Sequence, residues 1–314
     1  MRSDNTRTDR RSILRACSIG ATVGLTTTAG CLGTDDEIAV ASMKWSEARL
    51  MGYLGYEMLK ENTDTSVGDE TSLGGSRQCF EAVKNGGIDL YHIYTGGAWS
   101  ELPPQREELI SDPDELYEQV KDDMEEEHGL AYLEPAAFNN TYAIGASPEW
   151  ADETGIETLS GFVDYIENGN TDVSIVLGPE FQERSDGWPG LVEHYGIEES
   201  AKELDIQSVQ ADLTYEILGE NEADLGMVFS TNPNIQQFDL TILEDDEEFF
   251  LPYNPAPLVK KETVEEYDIE DPLNKASQSL TSEEEVRKLN SRIDLEGEDP
   301  QDVARDHLKE NGLI

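Results

Sequence analysis

The chain has 314 residues, with 22 Lys+Arg against 68 Asp+Glu and a formal net charge of −46. That length holds roughly two domains with real cores, and acidity spread along the whole chain excludes nucleic-acid binding, since there is no basic patch to displace counterions from phosphate. So large a charge repels itself in dilute buffer, while ~1 M salt cuts the Debye length to ~3 Å and screens it; the composition reads as adaptation to high salt and says nothing of activity.

Residues 1–30 carry five arginines and two aspartates, so this segment is locally basic against an acidic remainder. Within it Asp9-Arg10-Arg11-Ser12-Ile13-Leu14 resembles a twin-arginine export signal. The stretch from Ala16 to Gly30 is apolar but too short and too rich in Gly and Thr to span a bilayer. It ends Thr28-Ala29-Gly30-Cys31, similar to a lipobox. The expectation is a removable signal over 1–30, lipidation of Cys31 and a short acidic tether over 31–36. Lipidation would anchor the chain to the outer face of the membrane. Of the other two cysteines, Cys17 falls in the signal. Cys79, alone in the mature chain, sits on a helical pattern and is expected to be a buried structural thiol.

From Glu37 onward strand and helix patterns alternate. Glu37 to Ala41 reads as a strand. Ser46 is the expected N-cap of a helix carrying Leu50, Leu54 and Met58 at four-residue spacing. Gly74-Gly75-Ser76 opens a helix that stops at Asn85-Gly86-Gly87, and Ile88 to Tyr91 is the next strand. Asp112-Pro113 caps a helix to about Glu127, followed by a strand over Leu130 to Leu133. The middle block has strands at 141–144, 173–177 and 224–229, with helices at about 158–168, 189–195 and 212–218. A strand at 240–243 and a loop from Phe249 to Pro257 lead to a helical tail. Two tail helices have marked starts, Ser282 with Glu285 and Asp299-Pro300, and the last stops at Asn311-Gly312. This is an α/β fold with mainly parallel sheets. Ligands of such sheets sit beyond the carboxyl ends of strands, where Ser42-Met43-Lys44, Tyr91 to Gly97 and Phe229-Ser230-Thr231 fall.

No catalytic signature is present: no GxSxG, HExxH, P-loop or GxGxxG. The four histidines, His92, His128, His194 and His307, lack metal-ligand spacing, and the last three are expected at the surface or at helix ends. The runs Glu125 to Glu127 and Glu244 to Glu248 are too contiguous for a calcium loop. The expectation is a protein that captures a small molecule, with no cofactor, no metal and no reaction of its own.

Several segments, in order along the whole mature chain, resemble the solute-binding proteins of osmoprotectant ABC transporters. They include Ser42-Met43-Lys44, Tyr94-Thr95-Gly96, Phe138-Asn139-Asn140-Thr141-Tyr142, Gly178-Pro179-Glu180-Phe181 with Arg184, Phe229-Ser230-Thr231 and Phe250-Leu251-Pro252-Tyr253. The resemblance implies a type II periplasmic-binding-protein fold, two α/β lobes closing on a ligand cleft. By this comparison lobe I takes residues 37–140 plus 231–314 and lobe II takes 141–230. It implies capture of a quaternary amine (glycine betaine, choline or a relative) and delivery to an ABC permease. The cage rings would be Tyr94, Tyr142, Phe229 and Tyr253; Lys44 and Arg184 would lie near the ligand carboxylate, with Glu180 ordering Arg184. Such a cage suits a trimethylammonium, which has no N–H to donate and is held by ring faces.

The chain departs from that pattern in three places. Phe229 replaces a tyrosine, Gly97 a threonine that contacts carboxylate, and His92-Ile93 a Pro-Glu pair. The second departure leaves choline or a bulkier betaine open beside glycine betaine. Uptake of an amino acid or other small zwitterion also stays open, and would require an acidic partner for a primary ammonium. A lipoprotein enzyme would need a nucleophile–base pair.

Overall fold

The computed structural model describes residues 37–106 and 108–314. The export signal, Cys31 and the tether lie outside the described residues. The first half of the chain opens with β1 (Glu37–Met43), whose side chains alternate between faces: Ile38 and Val40 on one, Ala41 and Met43 on the other. Next comes α1 (Ser46–Asn62), which buries Leu50, Leu54 and Met58 as the four-residue spacing predicts. Its N-cap is Trp45, not Ser46, which is the first helical residue. An unforeseen polar strand, β2 (Ser66–Gly74), runs parallel to β1 along the sheet edge. Then follow α2 (Ser76–Lys84), β3 (Leu90–Tyr94), α3 (Thr95–Glu101), α4 (Pro113–His128) and β4 (Leu130–Tyr132). The Asp112 carboxylate caps α4 by accepting the Glu115 N–H at 2.8 Å.

The second half-structure contains β5 (Tyr142–Ala146), α5 (Pro148–Thr154), α6 (Leu159–Glu167), β6 (Ser174–Leu177), α7 (Pro179–Glu183) and α8 (Trp188–His194). It continues with β7 (Asp205–Ser208), α9 (Thr214–Gly219), β8 (Leu225–Phe229), α10 (Asn234–Gln237) and β9 (Thr241–Leu243). The chain then returns as β10 (Pro255–Lys260) and ends in α11 (Lys261–Tyr267), α12 (Glu270–Gln278), α13 (Glu283–Asp294) and α14 (Pro300–Glu310). Ser282 and Asp299 cap the last two helices as expected.

The strands form two five-stranded sheets, ordered β2-β1-β3-β10-β4 and β7-β6-β8-β5-β9. In each, four strands run in one direction and the strand in fourth place, β10 or β5, runs antiparallel to both its neighbours. The antiparallel strand is the one whose chain has just arrived from the other sheet: β5 from β4, and β10 from β9. The return therefore follows Leu243. Thr241–Leu243 pairs with β5 in the second sheet, although the sequence grouped all of 231–314 with the first lobe. Helices cover both faces of each sheet, and four clusters of buried side chains lie against them. Cys79 is buried as expected, its Sγ 3.6 Å from the Ser42 carbonyl, and desolvation pushes the thiol up to about 11. His307 lies in the last turn of α14, a helix end as expected, and is buried there, its Nε2 2.9 Å from Ser279 Oγ.

The crossing segments are stitched to each other and to the end of β8. The Ser230 N–H donates to the Thr141 carbonyl at 3.0 Å, and the Asn140 N–H to the Tyr253 carbonyl at 3.0 Å. The Ser230 hydroxyl donates to the Asn139 carbonyl at 2.7 Å, and Arg287 Nε to the Ser230 carbonyl at 2.8 Å. No described helix is long and apolar enough to cross a membrane.

Candidate functional site

A cavity of about 720 Å³ opens beside these crossings, within the range of small-molecule sites. Its walls come from the ends of β1, β3 and β8, the starts of β5, α1 and α7, the 251–254 crossing and α13. Strand ends supply ligand groups because backbone direction there points side chains past the sheet edge, where no further strand covers them.

Three of the four expected cage rings meet here. Tyr142 and Phe229 face each other across the β5–β8 pair, with centroids 5.0 Å apart and planes 33° apart. Tyr253 stands nearly edge-on to Tyr142 at 6.5 Å and 78°. The two tilted rings make one wall and Tyr253 a second, roughly at right angles. Phe181 supports Tyr142 from behind at 5.1 Å. All three cage rings are half-buried, and desolvation pushes the Tyr142 and Tyr253 phenols above their usual range. Gly96 lets Tyr253 lie against the first turn of α3: a Cβ there would meet ring atoms at 2.6 to 2.8 Å.

Tyr94, the fourth expected ring, lines the same cavity but keeps different company. It lies beside Trp45, centroids 6.2 Å apart, and its hydroxyl donates to Glu47 Oε1 at 2.7 Å. Glu47 is only 5% exposed. Its Oε1 also accepts from Asn140 Nδ2 at 2.8 Å and its Oε2 from Asn290 Nδ2 at 2.8 Å. Among the described residues no cationic side chain forms an ion pair with it. Trp45, Glu47, Asn140 and Asn290 were not named as site residues from the sequence. Two carried a signal: Asn140 lies inside the Phe138 to Tyr142 motif, and Trp45 is a large apolar residue directly after Ser42-Met43-Lys44.

The charged residues differ from expectation. Arg184 lines the cavity, but Asp186 orders it, not Glu180: the guanidinium donates in bidentate fashion at 2.7 and 2.5 Å. This pairing, against the opposing effect of burial, raises the guanidinium further above its ordinary value. Glu180 is exposed in the cavity wall, and its carbonyl accepts the Arg184 N–H. Lys44 is exposed and outside the residues lining the cavity.

Two mixed sheets flanking a cleft walled by strand ends and crossing segments define a type II solute-binding protein. The comparisons agree. Residues 36–310 match the family described as the substrate binding domain of ABC-type glycine betaine transport systems, and the chain belongs to that family. It is 30% identical over 286 residues to the chemotactic signal transduction system substrate-binding protein CosB of Halobacterium salinarum, covering 88% of this chain and 84% of that one. It is 30% identical over 294 residues to the glycine-betaine-binding protein of Pseudomonas aeruginosa, covering 90% of each. The structure of apo YehZ from Escherichia coli superposes with a TM-score of 0.76 at 25% identity, covering 88% of this chain and 99% of that one. Proteins of this family are extracytoplasmic solute-binding components of ABC importers and not enzymes.

Proposed function

We propose that this protein captures a quaternary-amine osmoprotectant (glycine betaine, choline or a relative) and presents it to an ABC permease. Its methylated ammonium would rest in the corner formed by Tyr142, Phe229 and Tyr253, and Tyr94 would complete the enclosure from the facing wall. The observation that carries this reading is the convergence of three half-buried rings, 5.0 and 6.5 Å from centroid to centroid, on one open cavity. A cation–π contact is worth about 0.5–1 kcal/mol when exposed and ~2 or more when desolvated, so several in a closed site suffice for micromolar binding, about −8 kcal/mol. Arg184 would orient a ligand carboxylate. Closure would bend the crossing segments at 139–141 and 251–254, bringing lobe I toward lobe II. Export by the twin-arginine signal and anchoring through lipidated Cys31 belong to the same proposal and rest on sequence.

Calorimetric titration in molar salt with glycine betaine, choline, carnitine, proline and arginine tests it. At least one quaternary amine should bind at micromolar concentration, and Tyr142→Ala should weaken it tenfold or more. Binding of arginine alone, or normal quaternary-amine binding by Tyr142→Ala, sinks the cage. The buried Glu47 favours a second reading, in which an amino acid's primary ammonium meets that carboxylate; the arginine and proline titrations separate the two.

A further inference from the structure

Glu47 and the two asparagines around it, all in the cavity wall, keep hydrogen-bonding capacity that the protein does not use. Asn290 is 3% exposed, and its Nδ2 donates both to Glu47 Oε2 and to the Thr231 carbonyl, at 2.8 and 3.2 Å. Turning the amide over would set its oxygen against two acceptors, so the orientation is fixed by its partners. Asn290 Oδ1 is then a buried acceptor without a donor, and so is Asn140 Oδ1. Glu47 Oε2 takes one bond where Oε1 takes two. Surplus acceptors and a buried, unpaired negative charge are costly, and all three residues line the cleft. They lie beside Trp45 and Tyr94, a different aromatic pair from the Tyr142 corner.

The rest of the wall has the same sign. Glu47, Glu101, Glu180, Asp212 and Asp294 line the cavity against one guanidinium, Arg184, which Asp186 already neutralises. An acidic rim is what this composition places almost anywhere; the buried Glu47 is not. Gly97, at the expected carboxylate contact, offers no hydroxyl.

We infer that Glu47, Asn140 and Asn290 form a second subsite that selects a net-cationic ligand bearing an O–H or N–H donor over a zwitterion whose only polar group is a carboxylate. This rests on the quaternary-amine reading above and specifies the ligand at the end away from the ring corner. The donor would take the open acceptor position on Glu47 Oε2, with Asn140 and Asn290 holding that carboxylate in place, and the ligand's positive charge would offset it.

Titration of the protein with choline, acetylcholine and glycine betaine in molar salt tests this. Choline supplies both cation and donor, acetylcholine the cation alone, glycine betaine neither a net charge nor a donor. Choline should bind tightest, by tenfold or more over glycine betaine. Glu47→Gln keeps the size of the side chain and removes its charge; it should lower the choline-to-glycine-betaine affinity ratio at least tenfold. Glycine betaine binding as tightly as choline in the unaltered protein overturns the inference, whether or not the variant folds. An unchanged ratio in a folded Glu47→Gln protein overturns it too. If no quaternary amine binds, the cage reading falls first; if they bind without regard to charge, only the subsite falls.

Discussion

His92 lies on β3 with Leu90, on the face that packs against α1; its Cε1 is 3.5 Å from where a Cβ on Gly55 would stand. It is 2% exposed, and neither ring nitrogen has a hydrogen-bond partner. Desolvation alone pushes its pKa down to about 3, against an ordinary value near 6.5. The unfolded chain therefore binds this proton first as the pH falls, and the fold loses stability between about pH 6.5 and pH 3, by up to ~1.4 kcal/mol per pH unit. Above about pH 6.5 the ring is neutral in both states and contributes no slope. His307, whose pKa is also lowered chiefly by burial, acts in the same direction. His92→Leu should raise the denaturation midpoint at pH 7, because an unsatisfied buried polar group costs about 1–3 kcal/mol. It should also lose less between pH 7 and pH 4.5 than the parent. Equal losses in urea melts at those two pH values would show that His92 is not the group responsible. Period-two alternation places His92 inside once the strand is drawn as Leu90–Tyr94. Drawn as Ile88–Tyr91, it stops one residue short and leaves the His92-Ile93 substitution without meaning. Glu47 is harder to read: with 68 acids in the chain, nothing local marks one, and its burial is decided by residues 94, 140 and 290, far away in sequence.

At the level of elements, neighbouring glycines in α3 do opposite things. At Gly96 a Cβ would overlap the Tyr253 ring, whereas at Gly97 the nearest atoms, on Ile93 and Tyr253, are 4.0 Å away. Gly96→Ala should displace Tyr253, costing about 1–3 kcal/mol by overpacking and weakening quaternary-amine binding. Gly97→Ala should stabilise by about 0.5–1 kcal/mol, the usual gain when glycine leaves a helix interior. Thermal melts and titrations of the two variants check this; equal tolerance at both positions would mean that α3 does not press on Tyr253. The helices of the core were legible because apolar spacing, as at α1, and caps, as at α4, α13 and α14, are local. β10 was not, because Pro255 and Pro257 argue against a central strand. Their carbonyls nevertheless accept the N–H groups of Ala136 and Leu133 at 2.9 Å each, so that stretch of β10 serves as an acceptor edge. β2 was missed for the opposite reason, a polar edge strand having no buried face to write a pattern. The ring corner was legible as motifs, but not its division from Trp45 and Tyr94, which depends on how the two crossing segments meet the end of β8.

The whole molecule carries its charge unevenly in depth. Most carboxylates are exposed, while Glu47 and Glu57 are buried with hydrogen-bond partners, Glu57 also pairing with Arg305 at 2.9 Å. With 68 acids to 22 basic residues, most acids lack a basic partner, and repulsion among them outweighs the surface ion pairs, each worth about 0–1 kcal/mol. Salt weakens both, but the repulsion is the larger sum, so raising salt from about 0.1 M to about 1 M, which shortens the Debye length from ~10 to ~3 Å, should raise the thermal midpoint. Ligand affinity should respond far less, because the ring corner and Glu47, once closed over the ligand, would be screened far less than surface charge. Melts and titrations across that range, with choline as probe, check both halves together. A midpoint that stays flat or falls would mean the acidic surface is not self-repelling enough to matter. A choline affinity that collapses as salt rises would place recognition on the exposed rim acids, Glu101, Glu180, Asp212 and Asp294, and away from the buried carboxylate.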